Sequence, residues 1–503
     1  MQLIFQKNVS YLCKPNYQHK PMPDFEIQNV LAQLARSIGE NPVDIKPIAE
    51  SGSSRKYFRI FTENNSLIGT YNANVEENEA FFYLTEHFGK KNLHVPKLLA
   101  INEKRDCYLQ NDFGDETLFD HVQRDLRTGG YSPQTIELYK KTIAHLVEFQ
   151  IRGHGGLDYK KAYPVPRFDK SAVMDDLNYF KYYFVKPHAE IVFNEEDLKK
   201  CFEGFANFVC RAYVDCFMYR DFQSRNVMIY QGEPYFIDYQ GGREGPFQYD
   251  VVSLLYQVKA QMPPKLRDEL LDYYHERLSM HIDPNRMGFY EFYPHFVYLR
   301  LMQVLGAYGF RGLIQKKAHF IESIPYALKE LEAYAETYPL KDYPELQNVI
   351  RQVCALKDRY PLTSNLSPLT SHLTVTVNSF SFRKGYPDDF SGNGGGFVFD
   401  CRALPNPGRE PQFKTMTGRD WEVAEYLIEK PQTHVFLDHV KGLVGQGIDN
   451  YLERHFSHLM VSFGCTGGQH RSVFFAQSIA DWIKQTYPSV QVKINHIEQH
   501  IHE

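Results

Sequence analysis

Three polar residues near the middle of the chain have the types and the spacing that phosphoryl transfer requires. Four residues separate Asp221 from Asn226, and a strand predicted over residues 235–237 leads into Asp238. Phosphoryl transfer needs positioned magnesium and a carboxylate that aligns the acceptor hydroxyl. We therefore predict that Asp221 is catalytic and that Asn226 and Asp238 bind Mg²⁺ through oxygen atoms. The alternative is a surface loop whose Asp and Asn cap a helix, and the combination of spacing and strand context favours the catalytic interpretation.

A turn rich in small residues lies upstream, between two predicted strands. Its backbone N–H groups could approach the oxygens of a triphosphate. A plain hairpin turn would have the same composition, so the turn is a weak signal without the downstream motif. Acidic residues at the start of two predicted helices are interpreted as dipole partners (Glu76, Glu77, Glu79) and as an N-cap (Asp250). The predicted ATP-binding residues are Ser51, Gly52, Ser53, Ser54, Arg55, Lys56 and Arg59.

A phosphate site is also predicted near the carboxyl end of the chain. A strand over residues 460–463 runs into a glycine-rich loop, and a helix follows from Ser472. Glycines let the backbone wrap closely, and loop N–H groups together with the helix N-terminus attract an anion. The predicted residues of this loop are Cys465, Thr466, Gly467, Gly468, His470, Arg471 and Ser472.

The same loop leaves two other interpretations open. Five residues separate Cys465 from Arg471. That spacing also fits phosphatases in which a cysteine thiolate attacks a phosphate that an arginine holds. A tight strand-to-helix turn with a buried thiol would need no ligand.

Patterns along the chain predict an α+β, two-lobed first domain and a compact α/β second domain. Alternating apolar runs before residue 100 predict a small mixed lobe, and helical periodicity over residues 118–338 predicts a larger helical lobe. Residues 360–368 collect the Pro, Ser and Asn that are typical of a linker. Strand and helix patterns alternate afterwards. The predicted boundaries are a leader at 1–22, a first domain at 23–340, a linker at 341–371 and a second domain at 372–503.

Composition excludes several classes of protein. The hydrophobic fraction of 43% and the charged fraction of 23% are typical of a folded chain. A net charge of -5 and a pI near 6.5 argue against coating of nucleic acid along the whole chain. No apolar run approaches the roughly 18–20 residues of a membrane span, and the first residues turn polar too early for a secretory signal. The eight cysteines form no CxxC pair, so we predict a cytoplasmic protein with reduced thiols.

The central motifs resemble those of the aminoglycoside phosphotransferase-like kinases. The likeness rests on residues 219–226, 236–240 and 245–255, spans about residues 25–338, and is strongest for bacterial N-acetylmuramate/N-acetylglucosamine 1-kinases of cell-wall recycling. It implies a two-lobed fold with ATP between the lobes and the sugar over the helical lobe.

Three positions depart from the motifs of that family. Tyr219 replaces the usual histidine, and Gly241 stands where a second acid is expected. Residues 67–71 lack the lysine with which protein kinases bind nucleotide phosphates. Arg55, Lys56 or Arg59 is therefore expected to replace that lysine.

Residues from about 371 to 503 resemble the C-terminal domain of RapZ, an RNase adapter. The likeness rests on residues 399–407, 417–420 and 464–473. It implies a sensor site for a phosphorylated amino sugar at the loop of Cys465 to Ser472, with RNA as a further partner. Arg383, Asp400 and Arg402 are the predicted partners of the loop.

The leading hypothesis is an ATP- and Mg²⁺-dependent kinase of an amino sugar whose second domain binds a phosphorylated amino sugar. One alternative is a metabolite-sensing, RNA-binding adapter whose kinase lobe binds nucleotide without catalysis. Another is a phosphatase that uses Cys465. The acceptor hydroxyl and the oligomeric state leave no signal in the sequence.

Overall fold

The computed structural model divides the chain into two compact units, Met1–Leu362 and Thr363–Glu503. The predicted leader lies outside the described residues except for Met22, and Ser51, Gly52, Ser53 and Ser54 also lie outside them. The structure describes residues 22–48, 55–63, 65–360, 373–389, 395–453 and 456–502.

The first unit begins with a small lobe built on a five-stranded antiparallel sheet. Its strand order is β1-β2-β3-β5-β4. Helix α1 precedes the sheet, and helix α2 follows β3 along the chain. The elements are α1 (Asp24–Ser37), β1 (Pro42–Ile48), β2 (Lys56–Thr62), β3 (Ser66–Tyr71), α2 (Val75–Lys90), β4 (Leu98–Ile101) and β5 (Cys107–Asn111).

Helix α1 covers one face of this sheet. Leu31 of α1 is fully buried with Phe58 and other apolar residues of the strands. The helix approaches closely because residue 69 is glycine: a Cβ at Gly69 would lie 2.7 Å from Leu31 Cδ1. Side chains alternate along a strand, so Tyr57 and Arg59 point away from α1.

The larger lobe of the first unit is helical and encloses two short antiparallel strand pairs, β6–β9 and β7–β8. Its apolar side chains form one continuous core that also includes α2. Its elements are α3 (Leu118–Thr128), α4 (Pro133–Glu148), α5 (Lys170–Phe180), α6 (Glu195–Val209), β6 (Cys216–Met218), β7 (Val227–Tyr230), β8 (Glu233–Phe236), β9 (Arg243–Gly245), α7 (Phe247–Leu255), α8 (Pro264–Ser279), α9 (Phe289–Tyr308), α10 (Ala318–Ile321), α11 (Ile324–Thr337) and α12 (Pro344–Cys354).

Helix α12 lies inside the linker predicted for residues 341–371, so the start predicted for that linker is wrong. Leu346, Val349 and Val353 of this helix are buried in the core of the helical lobe. Their spacing is that of one face of an amphipathic helix, which the proline-rich segment after residue 359 obscured in the sequence. The first half of the predicted linker therefore belongs to the first unit.

The second unit is an α/β domain with a five-stranded sheet. Strands β10, β11, β12 and β13 run parallel, β14 is antiparallel, and the order is β11-β12-β10-β13-β14. The two-lobed first unit and this α/β unit confirm the predicted fold class. The elements are β10 (Thr374–Ser381), β11 (Phe397–Asp400), α13 (Trp421–Ile428), α14 (Pro431–Glu453), β12 (His458–Cys465), α15 (Arg471–Thr486), β13 (Gln491–His496) and β14 (Ile501–His502).

Helix α15 packs against strands β10, β12 and β13. Val377, Val461 and Ile479 are buried in the core between helix and sheet. The parallel strands place their carboxyl ends at one edge, where the loops after β10, β11 and β12 come together. Within the described ranges, no helix is both long enough and apolar enough to cross a membrane.

Candidate active site

Helix α7 holds the loop that carries Asp221. The fully buried carboxylate of Asp250 accepts backbone N–H bonds from Tyr219 (2.6 Å) and Arg220 (2.9 Å). Arg220 depends on this support because its φ of +79° lies in the left-handed region. Burial raises the pKa of Asp250 to about 7, although the two N–H groups favour the ionised form. The Tyr219 hydroxyl donates to the carbonyl of Ile237, which ties the loop to the segment after β8.

Asp250 does not cap a helix, contrary to the interpretation from sequence. Helix α7 begins at Phe247 after Pro246, and Asp250 lies inside its first turn. Its partners come from residues about 30 positions earlier in the chain. The local sequence gave no signal of that tertiary contact.

The structure brings Asp221, Asn226 and Asp238 together in one cluster. Asn226 Nδ2 lies 2.9 Å from the backbone carbonyl oxygen of Asp221, 3.3 Å from Asp221 Oδ2 and 3.3 Å from Asp238 Oδ2. Gln240 Nε2 donates to Asp238 Oδ1 at 2.7 Å. The three predicted side chains therefore face one common point.

Three donors and one more distant cation surround the carboxylate of Asp221. Arg225 Nη2 lies 3.1 Å from Oδ2, and Gln223 donates to Oδ1. Asn226 is the third donor, and Arg300 Nη2 lies 3.9 Å from Oδ1. Burial alone would raise the pKa of Asp221, but the charges of Arg225 and Arg300 outweigh burial and hold this pKa below its ordinary value. Asp221 is therefore ionised at neutral pH.

Asp238 and Asn226 fit a hard divalent cation. Burial and then the negative charge of Asp221 raise the pKa of Asp238, and a cation beside it would relieve this repulsion. A carboxylate and a carboxamide oxygen are ligands that Mg²⁺ prefers. In the part of the chain that the structure describes, no group of three His, Cys, Asp or Glu side chains could hold a metal. Mg²⁺ at this point would take its other ligands from phosphates and water, as it commonly does.

The three predicted cations of the small lobe lie in different surroundings. Lys56 pairs with Asp24 of α1 at 2.6 Å, and Arg59 pairs with Asp112 at 2.7 Å. Arg55 is buried, and its Nη2 lies 3.2 Å from Glu77 Oε1 on α2.

Arg55 is also the cation whose charge interacts with Asp238. Burial would lower the pKa of Arg55, but its interactions with Tyr108, Tyr57, Glu77 and Asp238 outweigh burial and raise it. Arg55 is therefore charged and close enough to Asp238 to interact with it, whereas Lys56 lies on the α1 side of the sheet.

The predicted phosphate loop of the second unit connects β12 to α15. Cys465 is only 3% exposed, and its sulfur accepts a bond from the N–H of Gly468 (3.2 Å) and lies 3.2 Å from Ser472 Oγ. Helix α15 begins at Arg471, so its N-terminus faces this loop. His470 holds the loop through a 2.8 Å bond to the carbonyl of Phe413.

Residues from the neighbouring strand ends complete this edge of the sheet. Arg471 Nη1 donates to the carbonyls of Arg402 (2.8 Å) and Leu404 (3.0 Å). Arg402 pairs with Asp400 at 2.6 Å, and its guanidinium lies 4.2 Å from the centre of the Phe382 ring. Arg471 thus fixes the segment that presents Arg402.

Ser381 links the predicted residue Arg383 to the same edge. Its hydroxyl donates to the carbonyl of Thr466 at 2.9 Å and accepts the backbone N–H of Arg383 at 3.3 Å. Asp400, Arg402, Arg471 and the loop of Cys465 to Ser472 therefore adjoin one another, and only the backbone of Arg383 is placed by these contacts.

Two family models match the chain, one in each unit. Residues 44–290 match the phosphotransferase enzyme family, and residues 373–500 match the RapZ C-terminal domain. The chain joins a phosphotransferase domain to a RapZ C-terminal domain. Both resemblances seen in the sequence are thereby confirmed.

Curated relatives match about a quarter of the chain. A nucleotide-binding protein of Albidiferax ferrireducens is 38% identical over 118 residues, which are 24% of this chain and 38% of that protein. A nucleotide-binding protein of Solibacter usitatus is 42% identical over 128 residues, or 25% of this chain and 37% of that protein. The chain thus spans less than two fifths of the length of either relative.

Solved structures resemble the phosphotransferase domain at a distance. Choline kinase of Cryptosporidium parvum Iowa II is 12% identical, covers 65% of this chain and 99% of its own, and has a TM-score of 0.43. An ethanolamine kinase of Plasmodium vivax is 11% identical, covers 65% of this chain and 98% of its own, and has the same TM-score of 0.43. Likenesses this distant carry no information about the substrate.

Three residues of the phosphotransferase domain escaped the sequence analysis. Glu77 was interpreted as a dipole partner, and its position in the first turn of α2 gives no sign of its contact with Arg55. Arg225 lies inside the recognised motif but was assigned no role. Arg300 lies in α9, far from the motif in sequence, and only the fold brings it to Asp221.

Proposed function

We propose that the phosphotransferase domain uses ATP and Mg²⁺ to phosphorylate a hydroxyl of an amino sugar of the N-acetylmuramate or N-acetylglucosamine type. The observation that supports this most is the cluster of Asp221, Asn226 and Asp238, with Asn226 Nδ2 3.3 Å from a carboxylate oxygen of each aspartate. An ionised carboxylate beside a site for hard cations is what the reaction requires.

Each residue of the cluster has a proposed role. Asp221 orients the acceptor hydroxyl, and its full charge at neutral pH suits this task. Asn226 and Asp238 would hold Mg²⁺, which supplies charge neutralisation to the phosphates when bound. Arg55, fixed by Glu77, replaces the lysine that strand β3 lacks and binds nucleotide phosphates. Ser51 to Ser54 remain predicted phosphate-binding residues.

The amino sugar is proposed from the chain as a whole. The motifs of the first domain resemble sugar kinases of cell-wall recycling, and the second domain matches the RapZ C-terminal domain. Two domains that resemble proteins of one metabolite class support a substrate of that class.

For the second domain, the binding of a phosphorylated amino sugar is proposed. The loop of Cys465 to Ser472, the N-terminus of α15 and Arg402 lie at one edge of the sheet, where parallel strands end. Helix N-termini and arginines are general anion-binding groups.

A cysteine phosphatase has less support than this binding site. The sulfur of Cys465 is almost fully buried and is occupied by Gly468 and Ser472. Arg471 Nη1 donates to two backbone carbonyls. A phosphatase needs an accessible nucleophile and an arginine that faces the phosphate.

Release of ADP tests the proposed kinase activity. Full-length protein with Mg²⁺ and ATP should form ADP only when N-acetylglucosamine, N-acetylmuramate or a related amino sugar is added. The Asp221→Ala variant should lose this activity by a factor of about 10²–10⁴ and retain its fold by circular dichroism. If none of the sugars stimulates ADP release by the wild type, the proposed function is wrong.

A further inference from the structure

Both oxygens of the Asp221 carboxylate already contact side chains of the protein. Oδ1 accepts from Gln223 and lies 3.9 Å from Arg300 Nη2, whereas Oδ2 accepts from Arg225 at 3.1 Å and from Asn226 at 3.3 Å. A carboxylate offers about four acceptor positions, about two on each oxygen. A hydroxyl that binds Oδ2, the oxygen next to Asn226, must therefore displace Arg225 or Asn226.

Arg300 and Asn226 are held in place. The side chain of Arg300 is only 7% exposed, and its Nη1 donates to Gln303 Oε1 at 2.7 Å. Asn226 is buried and also contacts the Asp221 carbonyl and Asp238. Movement of either side chain would disturb these buried contacts.

Arg225 is the exception. Its side chain is 54% exposed, and its Nη2 donates to Asp221 Oδ2 at 3.1 Å. An exposed ion pair of this kind contributes little to stability and breaks readily. The acceptor hydroxyl thus reaches Oδ2 at the lowest cost by taking the place of the guanidinium of Arg225.

The displaced guanidinium stays close to the reacting groups. Arg225 lies between Asp221 and Asn226 in sequence, and its charge interacts with both Asp221 and Asp238. The phosphoryl group in transfer would lie next to the acceptor at Asp221 and near Asn226 and Asp238, the residues that would hold the metal. Its equatorial oxygens carry negative charge, which the planar fork of an arginine matches in geometry.

We propose that Arg225 exchanges partners during the reaction: it leaves Asp221 when the acceptor binds and then binds the phosphoryl group in transfer. This inference rests on the proposed kinase function. In the step, a bond forms between the acceptor oxygen and the γ-phosphorus, and the bond from that phosphorus to the bridging oxygen breaks. The electron pair stays on ADP, and the hydroxyl proton passes to Asp221 Oδ2. Arg225 is thus a catalytic residue that the acceptor switches into place.

The chain offers a matched control for this arginine. Arg152 also pairs with a carboxylate four residues earlier, Glu148, at 2.8 Å, and its side chain is 50% exposed. Arg152 lies outside the proposed site, because its partner Glu148 belongs to α4 and not to the loop of Asp221. Arg152→Gln therefore removes a similar ion pair without touching the proposed site.

Steady-state kinetics of full-length Arg225→Gln, Arg225→Lys and Arg152→Gln test the proposal, with N-acetylglucosamine and N-acetylmuramate as acceptors. Arg225→Gln should lower kcat by about 100-fold or more, while the Kd of ATP changes by less than about 2-fold. The KM of the acceptor should stay constant or fall, since the competing guanidinium is gone. Arg225→Lys should recover part of kcat, and Arg152→Gln should match the wild type.

A second measurement separates catalysis from folding. ADP with aluminium fluoride and acceptor imitates the transferring phosphoryl, and Arg225→Gln should bind this combination at least about 10-fold more weakly than wild type. If Arg225→Gln bound this combination as tightly as wild type and kept its kcat, Arg225 would form only an ion pair and the proposal would be wrong. If the variant lowered the KM of the acceptor at unchanged kcat, Arg225 would only compete with the acceptor for Asp221, and the proposal would also be wrong. Loss of ATP binding would indicate a structural role. Wild type that turns over no acceptor would remove the proposed function itself, a result visible before any variant is compared.

Discussion

Arg55 Nη2 and Glu77 Oε1 lie 3.2 Å apart and join the sheet of the small lobe to helix α2. Protein kinases form the corresponding link with a lysine on the neighbouring strand. Here β3 carries no lysine, and the buried Arg55 comes from the residue that precedes β2. A cation from a different strand therefore reaches the same acidic helix, and its charge extends to Asp238.

Replacement of Arg55 by alanine should weaken ATP binding. The substitution removes the proposed phosphate contact and leaves Glu77 without this cation, so the Kd of ATP should rise by at least about 10-fold. Isothermal titration with ATP and Mg²⁺ measures this. Arg55→Lys should fall between alanine and wild type, because lysine keeps the charge but not the planar fork.

Lys56→Ala is the matched control. Lys56 is the next residue, but it pairs with Asp24 on the α1 side of the sheet. The Lys56→Ala substitution should leave the Kd of ATP unchanged. If Lys56→Ala weakened ATP binding as much as Arg55→Ala, the assignment of Arg55 to the nucleotide would be wrong.

The sequence predicted the parts of the candidate site that lie in short, local motifs. Asp221, Asn226 and Asp238 were found because their spacing reflects one loop and the strand hairpin that follows it. The contacts of Asp221 with Arg300 and of Asp250 with Tyr219 join residues about 30 to 80 positions apart. A single sequence carries no signal for such pairs, since any arginine or aspartate on a buried helix could form the same contact.

The boundary of the first domain was missed for a different reason. Residues 344–354 have clear helical periodicity, with Leu346, Val349 and Val353 on one face. The predicted linker begins too early in the chain, because it was placed around the prolines and serines that follow this helix. Periodicity was therefore the better guide at this position, because a helix with a buried face needs a core to pack against.

Substitution of Arg402 should weaken the proposed anion site of the second domain. Arg402 is about half exposed and lies beside the loop of Cys465. Loss of a charge-assisted contact in Arg402→Ala should raise the Kd of glucosamine 6-phosphate by about 10-fold or more. Isothermal titration of the full chain measures this, and the sugar without phosphate should bind less tightly.

Lys430→Ala and Cys465→Ser are the controls for this site. Lys430 stacks on Tyr426 in the same domain, 4.6 Å from the ring centre, and its loss should leave the Kd unchanged. The Cys465→Ser variant should also bind glucosamine 6-phosphate. Release of phosphate from a chromogenic ester by wild type but not by Cys465→Ser would instead favour the phosphatase.

Two histidines should make the first unit less stable in acid. Burial lowers the pKa of His145 to about 4, aided by His94, and burial lowers the pKa of His295 to about 4, against 6.5 ordinarily. Between pH 6.5 and 4 the unfolded chain binds protons that the folded chain rejects. The free energy of unfolding should therefore be highest above pH 6.5 and fall toward pH 4, by up to about 1.4 kcal/mol per pH unit for each histidine.

Urea unfolding of His145→Gln and His295→Gln at several pH values checks this. Each variant should show a flatter loss of stability between pH 6.5 and 4 than wild type. Equal slopes in all three proteins would show that other groups cause the acid sensitivity.

Gly309 follows α9 where that helix meets the segment after α5, and this crossing should not tolerate a methyl group. A Cβ at Gly309 would lie 2.0 Å from the carbonyl oxygen of Tyr183, a backbone atom that cannot move aside alone. Gly309→Ala should lower the free energy of unfolding by at least about 2 kcal/mol. Gly89→Ala is the control, because its Cβ would meet no atom within 4 Å inside α2 and should stabilise the protein by about 0.5–1 kcal/mol. Since α9 also carries Arg300, Gly309→Ala should reduce kcat more than Gly89→Ala does. Equal midpoints of urea unfolding for the two variants would contradict this packing argument.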